Sequence, residues 1–352
     1  MGTLMRKKRL SIIAATLLLS TQTFADDSLK FEGELRFGAI QTQSDMAPTA
    51  TTLSLGGSLT IEKTWREGFG TTFTFFTTNA LGKYDEESLF LGKDNQDYSI
   101  MSEAYVWLHF AQTQVKVGRL TLETPFVNDD DIAMVPNTFR TIHIENKSIQ
   151  DTTLTLMALD KYAGVDSHTP RRFTYVQASH EPMYVLSAVY EGFTNTTLQA
   201  WAYGFDDVTY SYFEAGYEGS FANLAVQYAN QEHSNSAFGV QVEKSFDALS
   251  LNASYNKVSG IVSNGLGGGP FFTSSEDHTI ADAKDQEALH VGAEYSYNSL
   301  TLGAGYTAFD KGENETDIAL AYRVTKKHTL ELIYSDMGED GTLARFFARY
   351  HF

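Results

Sequence analysis

The sequence predicts an all-β protein: a transmembrane antiparallel β-barrel of eighteen strands (sixteen being the alternative count) with one loop folded into its bore. Three observations predict it. The chain opens with an export leader. The rest alternates apolar and polar residues with period two and is rich in aromatic side chains. The last ten residues form one more alternating strand, ending on Phe352.

In the leader, Arg6, Lys7, Lys8 and Arg9 precede an apolar run from Leu10 to Leu19, and Thr23-Phe24-Ala25 leads into Asp26. A basic segment, a short apolar segment and a small-residue cleavage site make a secretory signal peptide. The run is too short to anchor in a bilayer, which takes about twenty apolar residues. Residues 1–25 are therefore expected to be removed, leaving 26–352 as a single barrel domain. Of 26 Lys+Arg and 44 Asp+Glu, removal takes four basic residues and no acidic one, moving the net charge from −18 to −22. So acidic a chain is a poor partner for nucleic acid. The absence of cysteine excludes disulfides and thiolate metal sites, and an exported chain without them fits a bacterial envelope.

The chain has 24 Phe, 19 Tyr and 27 Gly but only 6 Pro. After the leader no apolar run is long enough for a transmembrane helix. Alternating, aromatic-rich segments are what a barrel needs when one face meets lipid and the other a polar lumen.

The strands follow in order. Over Leu29–Gln41, residues Leu29, Phe31, Gly33, Leu35, Phe37 and Ala39 share the lipid face, and Lys30, Glu32, Glu34, Arg36 and Gly38 the lumen face. Thr52–Lys63 repeats the pattern, Trp65–Gly68 is a tight turn, and Phe69–Thr78 is the third strand. After a polar loop, Asn79–Ser99, the fourth strand turns Val106, Leu108 and Phe110 outward and Glu103, Tyr105, Trp107 and His109 inward. The fifth is Gln114–Arg119, after the short turn Ala111–Thr113. Thr141–Lys147 and Gln150–Asp160 follow the next loop, and Lys161–Met183 is read as another long loop, although Arg172–Ser179 has strand-like composition. The remaining strands are placed at 184–192, 197–205, 208–217, 221–229, 237–245, 248–258, 287–296, 300–308, 316–325, 329–335 and 343–352. In the last, Ala344, Phe346, Ala348, Tyr350 and Phe352 face lipid, and Arg345, Phe347, Arg349 and His351 face the lumen.

Gly118–Arg140 fits no regular element. Pro125 and Pro136 bar continuous pairing, and Asp129, Asp130 and Asp131 sit between Phe126-Val127 and Ile132-Met134. A loop this long with its own apolar anchors is uncommon and usually functional. Long and short connections alternate, which puts this loop third on the side of the long, extracellular loops.

The whole mature chain resembles the OprD-type family of substrate-selective outer-membrane porins. The resemblance rests on VGRLTLETPFVNDDDIAMVPNTF (Val117–Phe139), GGGPFFTSSEDHTI (Gly267–Ile280) and LDKYAGVDS (Leu159–Ser167). It implies an eighteen-stranded barrel, an inward constriction loop, a ladder of basic residues on the lumen wall, and passive uptake of small charged solutes such as amino acids or carboxylates. This chain departs from the family pattern at Ala133, where an arginine is usual, and carries Arg140 seven residues on.

Alternation supplies candidates for the ladder: Arg36, Lys116, Arg323, Arg345 and Arg349, with Arg119 at the mouth of the loop. Arg345 and Arg349 stand roughly 13–14 Å apart along their strand, and closure of the barrel puts Arg36 beside them. Glu123, Asp129, Asp130, Asp131 and Arg140 are the charged candidates of the constriction loop. An acidic loop across from a basic wall sets a field that sorts ions. The same charges also fit plain wall-stiffening ion pairs. The three aspartates lack the spacing of a calcium loop, so no metal and no cofactor is expected. No G-x-S-x-G motif is present, and Ser28, Ser179 and His180 form no recognisable nucleophile arrangement. The reading is therefore a channel, with a structural or adhesive barrel, or less readily a barrel lipase, as alternatives. Its partners are small solutes, the bilayer and lipopolysaccharide, with the chain as monomer or homotrimer.

Overall fold

A computed structural model describes residues 28–44, 47–84, 88–92, 95–206, 208–232 and 235–352. The expected leader, residues 1–25, lies outside the described residues.

Among the described residues, nineteen strands form one antiparallel sheet. In the first half they are β1 (Leu29–Ser44), β2 (Ala47–Arg66), β3 (Phe69–Ala80), β4 (Tyr98–Phe110), β5 (Thr113–Leu120), β6 (Thr138–Asn146), β7 (Thr152–Ala163) and the two-residue β8 (Thr174–Tyr175). Then come β9 (Met183–Phe193), β10 (Thr196–Phe205), β11 (Val208–Glu218), β12 (Asn223–Gln231), β13 (Ser236–Phe246), β14 (Leu249–Ser259), β15 (Glu287–Tyr297), β16 (Leu300–Phe309), β17 (Glu315–Arg323), β18 (His328–Asp336) and β19 (Thr342–His351). β7 pairs with β9 over Thr152–Leu159, while β8 pairs only with Lys161 and Tyr162 at the end of β7. Eighteen strands therefore close the ring, and β8 is a short addition within the fourth long connection. β1 pairs with β2 on one side and β19 on the other, and Phe352 exchanges backbone hydrogen bonds with Gly33 at 3.0 and 3.2 Å.

The outward face is apolar, as alternation requires. Leu29, Phe31, Leu35, Val106, Leu108, Phe110, Ile142 and Leu186 are all exposed. A surface of this kind is stable only against lipid.

Two stretches depart from the expected strands. β1 and β2 run on to Ser44 and Ala47, so the first long connection is the tip of an extended hairpin. β4 starts at Tyr98, ahead of the alternating part read from sequence. There the register skips Ser102: Thr74 pairs with Glu103 and Phe75 with Met101. This is a β-bulge. It breaks the period, which hid the first half of the strand, and it turns both Ser102 and Glu103 to the lumen side. Ser102 Oγ then meets Thr138 Oγ1 at 2.8 Å, and Glu103 accepts from Thr74 and from the Thr121 backbone N–H.

The buried core is the filled waist of the barrel. The third long connection (121–137) and the seventh (260–286) enter the lumen and pack there. Phe126, Val127, Met134 and Ile280 are fully buried. Phe126 makes edge-on contacts with Tyr203, Tyr210, Tyr212 and Phe271 at ring separations of 5.5–6.2 Å. Phe126→Ala is expected to remove about 3–5 kcal/mol of packing. The measured result should be a lower thermal unfolding temperature together with a larger single-channel conductance, because the loop loses its anchor.

Candidate functional site

The third long connection is built by its sequence. Thr124-Pro125-Phe126-Val127 forms a tight turn, closed by the Thr124 N–H donating to Val127 O at 2.9 Å and by a bridge between Glu123 and Asn128. Pro125 supplies a fixed φ at the bend. The turn projects Phe126 into the aromatic cluster of β10 and β11. Further along, the loop reaches Arg36 on β1. That guanidinium donates to Asp131 Oδ1 at 2.7 Å and Oδ2 at 3.2 Å, to the Ala133 carbonyl at 2.6 Å, and to Glu34 at 2.6 Å. β11 stands nine strands from β1 in the ring of eighteen, so the loop is fastened to opposite walls.

All three stretches that carry the family resemblance meet here. Asn137 donates to Asp166 at 2.6 Å and accepts the Asp166 N–H at 3.0 Å, tying the loop to the fourth connection. Gly164, at φ +124°, lets that connection lie against Pro136 and Asn137, because a Cβ there would fall 2.3 Å from Pro136 O. From the seventh connection, the Gly268 N–H donates to Asn128 Oδ1 at 3.0 Å, and Leu266 exchanges backbone hydrogen bonds with Phe126 and Asn128. Gly267, at φ +130°, leaves room for the Asn128 side chain.

The wall opposite the aromatic cluster carries the predicted arginines. Arg349 is the direct cross-strand partner of Arg36, and Arg323, Thr329, Arg349 and Arg36 lie in one row across β17, β18, β19 and β1. Phe347 lies between two guanidiniums, 5.7 Å from Arg36 and 4.7 Å from Arg349. Arg349 donates to Glu331 and lies 3.8 Å from Glu34. Arg345, buried four residues from Arg349 on the same face, donates to Glu276 of the seventh connection at 2.7 Å. Arg349, Arg323, Glu34, Asp131 and Glu331 line one cavity of about 500 Å³ on the side of the short turns. Across the bore, Glu191, Glu214, Glu218 and Glu243 line a smaller cavity of about 240 Å³.

Several sequence-predicted residues take other places. Lys116 does face inward, beside Trp107 and His143, but four strands from β1 and 5.7 Å from the Tyr105 ring, so it stands apart from the row. Arg119 is not a lumen residue. It pairs with Ala104 and Arg140 and alternates with exposed Val117, on the outer face. Arg140 belongs to β6, not the loop, and points outward with Ile142, in an ion pair with Asp160. It therefore does not replace the arginine missing at position 133. The Ala133 carbonyl instead receives Arg36 from the wall. Asp131 does not face the basic wall across a gap; it is bonded to it. Asp129 supplies its backbone carbonyl to the Asn137 N–H at 2.7 Å, and Asp130 adopts φ 38° at the bend. Glu276 and Glu331 are not among the sequence candidates, and Glu34, though read as facing the lumen, is not singled out as a partner of Arg36. For Glu34 and Glu331 the signal was present, since they share the parity of Arg36 and of Arg323's row-mate Thr329.

Asp131→Asn keeps the shape but removes the charge from a buried, two-pronged ion pair, whose loss costs about 3 kcal/mol. The expected result is larger and noisier single-channel current. Arg140→Gln, outside the bore, should leave ion selectivity unchanged.

Comparison with known proteins agrees with this geometry. The profile described as outer membrane porin, OprD family, matches residues 83–321. Comparison with curated protein sequences gives no match. Similar solved structures include OccAB2 of Acinetobacter baumannii, with TM-score 0.80 and 16% identity over 92% of this chain and 98% of that one. A BenF-like porin from Pseudomonas fluorescens Pf-5 gives TM-score 0.79 and 17% identity over 92% and 98%. OpdK of Pseudomonas aeruginosa gives 0.79 and 15% over the same shares. The chain belongs to the OprD family of outer membrane porins, channels of the bacterial outer membrane that pass small solutes.

Proposed function

We propose that this channel is charge-selective and takes small charged solutes, amino acids or carboxylates, by passive diffusion. The observation that carries the reading is the cavity below the constriction, where Arg349 and Arg323 stand beside Glu34, Asp131 and Glu331. A solute carboxylate leaving the waist meets guanidiniums, and an ammonium group meets the carboxylates next to them. Low-dielectric walls strengthen both interactions. Arg349 is paired with Glu331, so a solute anion competes for it and is passed on rather than held. That suits conduction, which needs sites that bind weakly enough to release. The OpdK structure was determined with vanillate, which fits the carboxylate side of this reading.

The purified chain in a planar bilayer under a potassium chloride gradient should give discrete conductance steps. Arg349→Gln removes one cation and leaves three carboxylates, so the reversal potential should move toward cation selectivity. Liposomes should swell faster in glutamate or benzoate than in a neutral sugar of similar size, and Arg349→Gln should narrow that difference. Equal reversal potentials for the two proteins would overturn the charge-selective reading, and absence of conductance would overturn the channel reading.

A further inference from the structure

Arg119 and Arg140, which face away from the bore, form part of an outward row. Cross-strand register places Arg119 opposite Arg140, Arg140 opposite Lys161, and Lys161 opposite Tyr175. Neighbouring strands are about 4.8 Å apart, so three cations stand within roughly 10 Å. Like charges directly opposite one another destabilise a sheet. One carboxylate, Asp160, is bonded to Arg140. The two end cations rest on aromatic rings: Arg119 is 5.0 Å from Phe173 and Lys161 is 4.2 Å from Tyr175. An outward lysine on another strand is matched by an acid. Lys257 on β14 is opposite Glu287 and bonded to it at 2.6 Å.

The level of the row matters. Just below it on the same face are exposed Val117 and Ile142, which suit lipid, and above it the fourth long connection begins with β7 at an end. The row therefore lies where the outer leaflet's hydrocarbon gives way to headgroups. In a chain with 44 acidic and 26 basic residues, a surplus of cations at that boundary calls for an anion from outside. Guanidiniums bind phosphate with two parallel hydrogen bonds.

We propose that Arg119, Arg140 and Lys161 bind a phosphate of a phosphorylated glycolipid of the outer leaflet, lipid A in chemical class, with its acyl chains lying on Val117 and Ile142. The site rests on the outer-membrane location and is independent of what passes through the bore.

The test uses the full mature chain in detergent, titrated with bisphosphorylated lipid A or dephosphorylated lipid A and read by native mass spectrometry. The wild type should hold the phosphorylated form at least tenfold more tightly. The triple variant Arg119→Gln, Arg140→Gln, Lys161→Gln should lose that preference, and Lys257→Gln should keep it. Arg119→Gln alone, which leaves the Arg140–Asp160 pair intact, should weaken binding about threefold and serves if the triple variant fails to assemble. A full preference retained in the triple variant and in Arg119→Gln, or its equal loss in Lys257→Gln, would overturn the proposal. Conductance measured on the same samples reports on the pore separately.

Discussion

Everything in this molecule depends on closing the backbone hydrogen-bond ladder. In hydrocarbon no water is available for an unpaired N–H or C=O, and each one left open costs several kcal/mol. The chain meets that constraint by returning its last strand to its first. β19 pairs with β1 over ten residue pairs, from Glu34–His351 to Gln43–Thr342. Closure also has a chemical result. It brings together Arg36 from the start of the chain and Arg345 and Arg349 from its end, so the seam of the barrel becomes its basic wall.

The second constraint is the lumen. A ring of eighteen strands is too wide for wall side chains to fill, and the connections that narrow it include the third and the seventh, which differ in how they are held, with Phe90 of the second packed beside them against Phe347. The third is bolted at one end by the Arg36–Asp131 ion pair and at the other by Phe126 among tyrosines. The seventh is held largely by backbone donors. Glu315 accepts the N–H groups of Asp277 and His278 at 3.0 and 2.6 Å, and Asn256 accepts that of Thr273 at 3.0 Å. Where the two meet, glycines on the seventh admit Asn128 of the third. The waist is a packed structure with its own core, and the solute path is what that packing leaves.

Charge in the bore follows from this arrangement. Four of the six basic residues expected in a ladder, Arg36, Arg323, Arg345 and Arg349, stand on one wall, and some of them are structural. Arg345 and Arg36 are buried and hold loops. Arg349 and Arg323 line the open cavity instead. Acidic side chains line the far wall, from β9 to β13, while the seam wall carries arginines matched by carboxylates.

The sequence by itself located most of the strands, favoured eighteen of them over sixteen, and indicated which residues of each face lipid. Strict alternation is local and is imposed by the two-sided environment of a barrel wall. It even held the orientation of Arg119 and Arg140, which share parity with Val117 and Ile142, although proximity to the loop drew them into the constriction. What only the tertiary structure decided was contact. Loops have no period, so nothing local says that Asp131 meets Arg36 ninety-five positions away, that Glu276 reaches Arg345, or that Asn128 fits among the glycines near position 267. Ser102 was hidden for the same reason in miniature, since a single bulge breaks the period on which the reading depends. Those contacts are set by ring closure and by the depth to which each loop packs, and both are properties of the closed barrel as a whole.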